Sequence, residues 1–220
     1  MNISEKTVGI LKNFSTINPS VLVNPGNVLS TVSPQKSIMA KAHIVENFPM
    51  QFAIYDLSRF LGVTSLMKDP DFSFKEQYVD IATTNQLVRY MYADPDQIIA
   101  PNPNREIGFP DPEVEFRLTS EELSSVIRAG SVLQLPEISL SGSNGKVFVT
   151  AVDSKNVSND KFSIELGQTD YNFNMIIKSE CLKLINATYD VAISSKGLVR
   201  FQSDLVTYWV ATEANSTFGG

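Results

Sequence analysis

The chain has 220 residues, 43% hydrophobic and 19% charged, with a formal net charge of −6, one cysteine and one histidine. That balance excludes a disordered chain and a groove that grips nucleic acid through overall charge, and it suits two ordinary domains. A single cysteine excludes an internal disulfide and fits a reducing compartment, and no apolar run nears the roughly 20 residues that span a bilayer.

The opening residues, MNISEKTVGILKNF, hold no apolar block of signal-peptide length, so an intracellular protein is expected. Ser4 is placed to cap a helix running to about Asn18, with Ile3, Thr7, Ile10, Phe14 and Ile17 on one stripe and Lys12 nearly opposite. Pro19 ends it. Residues 21–23 and 28–32 flank Asn24-Pro25-Gly26-Asn27, a hairpin signal, and 38–44 alternates as a further strand. The stretch 52–67, FAIYDLSRFLGVTSLM, then changes period at one residue. It is apolar and β-prone up to Asp56, after which Leu57, Phe60, Leu61 and Thr64 recur at helical spacing, so a strand feeds a short helix capped by Asp56. Strands over 72–74, 78–82 and 86–92 complete this half as a meander. Residues 94–112 carry five prolines in nineteen positions and read as an extended connector, on which Ile98, Ile99 and Phe109 need something to pack against.

The second half opens with a strand at 114–118. Thr119-Ser120-Glu121-Glu122 is a capping box, and the helix after it puts Leu123, Val126, Ile127, Gly130 and Leu133 on one side and Arg128 opposite. Strands at 138–140 and 147–149 meet across Ser143-Asn144-Gly145, a tight-hairpin signal. A polar loop covers 154–161 and strands follow at 162–166 and 173–177. The run 174–186, NMIIKSECLKLIN, repeats the strand-to-helix design, with Ser179 as cap and Cys181, Leu182 and Ile185 as stripe. Strands at 189–193, 199–202 and 205–211 precede a frayed end over 215–220.

LVRYMYA (87–93) and LVTYWVA (205–211) agree at four of seven positions and close their halves at matching places. The chain therefore reads as two copies of one unit, 1–93 and 113–220, joined by the connector 94–112. Each copy is expected to be α+β, two helices covering one face of antiparallel sheet.

No catalytic constellation emerges, and neither cofactor nor metal is expected. His43 lies in a predicted strand, Cys181 on an apolar stripe, and there is no glycine-rich phosphate loop. Asp69, Asp71, Asp94, Asp96 and Asp111 sit mostly beside prolines, where acidic residues form turns. A binding or structural protein is expected rather than an enzyme. Lys12, Arg128 and Lys183 fall far from their helices' apolar stripes, with Lys6 and Arg59 on a flank. Glu5, Glu121 and Glu180 share those faces, each in a first turn, where a carboxylate answers the helix dipole. Taken alone, the pattern reads either as ordinary solvated helix surface or as a basic face set opposite acidic sheets.

ILKNFSTIN (10–18), AIYDLSRFLGVTSL (53–66), IIAPN (98–102) and ATEANST (211–217) resemble, in order and spacing, the DNA polymerase sliding clamps of T-even-type bacteriophages. The resemblance implies two similar sliding-clamp domains per chain and a homotrimeric ring of pseudo-sixfold symmetry, with two helices per domain inside and sheets outside. It implies a ring that encircles duplex DNA without reading sequence, loaded by an ATP-dependent clamp loader, tethering the phage DNA polymerase in the cytoplasm of the infected host. Late-transcription factors are further partners on this picture, and a membrane is not. Lys6, Lys12, Arg59, Arg128 and Lys183 would face DNA. Leu87, Arg89 and Met91 would meet Phe162, Ile164 and Leu166 of the next subunit. Ile98, Ile99, Phe109 and Val210 would line a pocket for a partner's C-terminal peptide, or else merely pin the connector. A trimer's formal charge of −18, three times −6, repels DNA, but threading makes retention a matter of topology. The competing reading is a duplicated-domain viral structural protein that assembles through the same edges without encircling DNA.

Overall fold

In the computed structural model, which describes residues 1–102, 108–156 and 158–219, the chain divides into two units, 1–106 and 107–220. Residues 103–107 of the expected connector, Val157 of the polar loop and the last residue lie outside the described residues.

The first unit opens with α1 (Glu5–Ile17), capped as the sequence predicts: the Ser4 hydroxyl accepts the Thr7 N–H at 3.3 Å. Thr7, Ile10, Leu11, Phe14 and Ile17 form its buried face. β1 (Val21–Val23) does not fold back on β2 (Gly26–Val32). β2 pairs with β3 (Ile38–Phe48), while β1 pairs with β4 (Phe52–Ile54). The hairpin expected across 24–27 is thus corrected to a switch between two ladders, because alternation fixes which face a strand buries but not which strand it joins. β4 feeds α2 (Leu57–Thr64), where the Asp56 carboxylate accepts the Arg59 N–H at 2.8 Å. β5 (Asp71–Phe74), β6 (Tyr78–Ala82) and β7 (Leu87–Met91) form the expected meander. Phe48, Phe52, Phe74 and Tyr92 gather in the core with ring centroids 5.1 to 5.6 Å apart.

One carboxylate ties α1 to this core. Glu46, on β3 and buried, accepts the Ser4 N–H and the Thr7 hydroxyl, so it satisfies the helix start from across the sheet. Burial pushes its pKa upward, but the bonds from Thr7 and Ser4 outweigh that and hold it below the ordinary glutamate value. A depressed carboxylate stabilises the fold above its unfolded pKa, and that stabilisation is lost as pH falls through the folded one. Glu46→Ala leaves the buried Thr7 hydroxyl and the part-buried Ser4 N–H without this acceptor and is expected to destabilise the protein by about 1–3 kcal/mol. Equilibrium unfolding should also show the variant's stability varying less with pH across the acid limb below about pH 4.5.

The second unit begins with β8 (Val114–Leu118) and α3 (Ser120–Val132). The capping box is present: the Thr119 hydroxyl accepts the Glu122 N–H, and the Glu122 carboxylate accepts the Thr119 N–H. β9 (Glu137–Ser143) and β10 (Lys146–Val152) turn at Asn144 and Gly145, both at positive φ (+52° and +79°), as that hairpin requires. Then come β11 (Phe162–Gln168), β12 (Phe173–Lys178), β13 (Tyr189–Ser194), β14 (Leu198–Gln202), β15 (Val206–Ala211) and β16 (Thr217–Phe218). One sheet runs β11-β10-β9-β12-β16, with α3 packed on β9, β10 and β11; β8, β13, β14 and β15 lie side by side in a second layer. The tail expected to fray instead adds β16 to β12, stacking Phe218 on Phe173 at 5.5 Å.

The largest correction concerns 174–186. The helix expected there is a single 3-10 turn, Ser179–Cys181, followed by irregular chain. Ser179 does not cap. Its hydroxyl donates to the Leu135 carbonyl and its N–H to that of Pro136. Downstream, the Ile185 N–H donates to the Tyr208 hydroxyl at 3.2 Å, and the Tyr189 hydroxyl donates to the Ile185 carbonyl at 2.5 Å. Both groups of Ile185 are thereby taken by fully buried tyrosines and cannot serve a helix. Burial drives both phenol pKa values up, that of Tyr208 to about 12, so the rings stay protonated and the bonds persist. Among the described residues the chain has three α-helices, not four, and Cys181 and Lys183 do not lie on a helical wheel.

Candidate nucleic-acid interface

α1 and α2 pack against each other as one helical layer of the first unit, with the start of α2 tied to the end of α1 by the Leu57 N–H, which donates to the Pro19 carbonyl. Each buries its apolar stripe, so Lys6 and Lys12 on α1 and Arg59 on α2 are exposed on that layer. In the second unit α3 buries Leu123, Val126 and Gly130 and exposes Arg128, while Ile127 and Leu133, both expected on the buried side, are each 38% exposed. Lys183 is half-exposed beyond the 3-10 turn. Among the described residues Lys6, Lys12, Arg59 and Arg128 form no ion pair, so their charge is available to a ligand.

The acid on these helices is confined to Glu5, Glu121 and Glu122, all in first turns, whereas Asp80, Glu115, Glu165 and Asp190 stand on strands. Gly9 and Gly62 lie exposed within α1 and α2, and a methyl group at either would meet nothing within 4 Å. Gly9→Ala is therefore expected to raise stability by about 0.5–1 kcal/mol, measured by denaturant unfolding.

Among the described residues, each of the strands singled out for assembly ends its sheet. β7 ends the sheet β5-β6-β7 and β11 ends the sheet β11-β10-β9-β12-β16. Leu87 and Met91 are 63% and 58% exposed on β7, and Arg89 between them grips Asp80 through two hydrogen bonds of 2.9 and 3.1 Å. On β11 Phe162 is exposed and Ile164 and Leu166 are half-exposed.

Of the residues read as a peptide pocket, Ile98 is buried in the first unit, and Ile99 is exposed with its carbonyl accepting from Asn18 Nδ2. In the second unit Phe109 is half-exposed against Arg200, and Val210 is wholly buried opposite Val199. Of the aspartates read as turn-formers, Asp69 stands at φ +47° and Asp94 accepts the Asp96 N–H, whereas Asp71 opens β5, paired with Ala82. Among the described residues no helix is long and apolar enough to cross a membrane. Sequence reasoning missed Glu46 and Arg200. A charged residue at the centre of an otherwise apolar strand, as in LVRFQ (198–202), was the available signal.

Three helices over antiparallel sheets in two successive units make the sliding-clamp fold. Solved clamps match it over nearly the whole chain: the PCNA2–PCNA3 complex of Sulfolobus tokodaii (TM-score 0.68, 12% identity, 96% of each chain) and A. fulgidus PCNA bound by the C-terminal region of FEN-1 (TM-score 0.69, 12% identity, 94% and 95%). The Helicobacter pylori beta clamp bound to a DNA ligase peptide matches with TM-score 0.65 and 14% identity, over 98% of this chain and 67% of that one.

Residues 3–99 match the family model described as DNA polymerase processivity factor, and 115–214 that described as gp45 sliding clamp, C terminal. The sliding clamps of Escherichia phage RB69 (31% identity, 99% of each chain) and Enterobacteria phage T4 (30%, 99% of each) align end to end, as does that of Vibrio phage KVP40 (30%, 97% of this chain and all of that one). The chain belongs to the bacteriophage sliding clamps, the processivity factors of phage DNA polymerase.

Proposed function

We propose that three copies close head to tail into a ring that encircles duplex DNA and tethers the phage polymerase during replication in the infected host's cytoplasm. The observation that carries this reading is the pair of bare edges, β7 in one unit and β11 in the other. Unpaired edges invite aggregation, and a heterologous contact between two different edges satisfies both while allowing closure. Leu87, Arg89 and Met91 then meet Phe162, Ile164 and Leu166 across each boundary. Lys6, Lys12, Arg59, Arg128 and Lys183 line the hole, holding the duplex centred by charge without reading its sequence. The ring is not an enzyme. An ATP-dependent loader opens it, and late-transcription factors are further partners on the same family analogy.

Light scattering at micromolar concentration is expected to give three times the 24.3 kDa chain mass. A ladder of larger, open assemblies would instead favour a structural protein built through the same edges. Partners dock their C-terminal peptides at the connector, where half-exposed Phe109 is the candidate contact; Val210 and Ile98, expected to share that pocket, are buried and offer a peptide no surface. Phe109→Ala is expected to weaken polymerase tethering by about 2 kcal/mol, roughly 30-fold in Kd, while leaving the trimer mass unchanged. The opposite ranking would make Phe109 an assembly or core residue.

A further inference from the structure

Each sheet that carries an assembly edge also has a far side, and in both units another piece of the chain lies along it. In the sheet that starts at β11, residues 172, 174 and 176 turn backbone groups away from β9, and segment 213–219 meets all three. The Gly219 N–H donates to the Asn172 carbonyl at 2.9 Å, and Thr217 pairs with Asn174. Ile176 donates its N–H to the Ser216 hydroxyl at 2.9 Å, and its carbonyl accepts the Glu213 N–H at 2.8 Å. Phe218 stacks on Phe173, with the Tyr171 ring 5.6 Å away. Met1 does the same for β5 at one residue. The Phe72 N–H donates to the Met1 carbonyl at 2.9 Å, and the Phe72 carbonyl accepts from the Met1 nitrogen at 3.0 Å.

The edge beneath 213–219 differs from the bare ones in composition. Residues 172–177, NFNMII, are six uncharged residues without proline or glycine, the kind of stretch that stacks strand on strand when it is left open. β7 and β11 instead carry a charge at their centres, Arg89 and Glu165, and charge on an edge restrains indiscriminate pairing. Among the described residues the segment leaves its sheet one bare edge, β11.

We propose that the β12 edge is a latent interaction surface for a second copy of this chain, and that 213–219 is the cap that keeps it closed. With the cap in place the sheet extends only through β11. Without it, two β12 edges pair antiparallel about a twofold axis, an isologous contact that joins two chains and so links one ring to the next. A second copy is the occupant because the opened edge is uncharged and self-complementary, with no charge to select a different partner. The inference rests on the reading that β7 and β11 close the ring, and adds to it what stops the same sheet from growing at its other side.

The chain is shortened to end at Thr212 and compared with the full chain by light scattering. At micromolar concentration the shortened chain is expected to give multiples of the trimer mass that grow with concentration. Combined with Leu87→Asp and Met91→Asp, which remove the β7 contact, it is expected to give twice the mass of one chain. Asn174→Pro then identifies what holds these species together. The Asn174 N–H faces away from β9, so proline there removes an edge donor and keeps the ladder to β9, losing beyond that only the bond from the Ser139 hydroxyl. It is expected to return the shortened forms to trimer and single-chain mass. In the full chain, Ser216→Ala with Phe218→Asp loosens the cap and removes no residue, and the same larger species are expected at lower abundance. Trimer mass alone in both the shortened chain and this variant would overturn the inference. So would larger species that Asn174→Pro leaves undiminished, because lost stability rather than edge pairing would then produce them. A full chain that forms no trimer would instead overturn the ring reading, while a doubled mass in the shortened β7 variant would still support pairing through β12.

Discussion

Changing Lys12, Arg128 and Lys183 together to glutamate is expected to cut processive synthesis on a primed template at least about tenfold, the scale on which reversing a few phosphate contacts acts. Each of the three is exposed or half-exposed, so the variant should unfold within about 1 kcal/mol of the parent. The variant lowers the chain's charge by three reversals of two units each, from −6 to −12, so a control must separate local from global charge. Lys75, Lys155 and Lys196, all exposed and none on a helix, carry the same change when reversed and should leave processivity largely intact. Equal loss in both variants would mean that overall charge, not a lining of the hole, is what matters.

A second large effect is expected at the edge of β7. Leu87→Asp with Met91→Asp places two carboxylates where two apolar side chains stand more than half exposed, so the isolated chain has little to lose. At a subunit boundary the same change removes about 1.5–3 kcal/mol of burial per side chain and adds the desolvation of two charges. A loss of about 4 kcal/mol per boundary weakens association roughly 1,000-fold. Light scattering should then find single chains where the parent gives trimers, with the thermal transition of the monomer preserved and processivity gone. A trimer that survives the double substitution would place its boundary elsewhere.

The elements legible in the sequence are those whose causes are local. Ser4, Asp56 and the Thr119–Glu122 box each sit within three residues of the donor they satisfy, and α1, α2 and α3 begin where they stand. Asn144-Gly145 fixes its hairpin for the same reason. What escaped is set by distant partners. The run 174–186 has a helix's periodicity, but Tyr189 and Tyr208 capture the backbone of Ile185. β1 alternates correctly and joins β4 some thirty residues on instead of its neighbour. Glu46 reads as one more residue of an alternating strand until the fold brings Ser4 and Thr7 to it. The candidate site divides likewise. Lys6, Lys12, Arg59 and Arg128 were legible because a helix that buries one stripe must expose the other. The cap on the β12 edge was not, since it depends on 213–219 returning to a strand some 40 residues back.

Retention by topology is the property that separates a ring from every protein that grips DNA by charge. The direct measurement is the lifetime of the loaded protein on a nicked circle and on the same DNA cut once, at about 1 M salt, where the screening length is only about 3 Å. An encircling ring should persist on the circle and slide off the cut molecule, with salt changing the first lifetime little. Equal lifetimes on the two templates, both falling steeply with salt, would contradict encirclement.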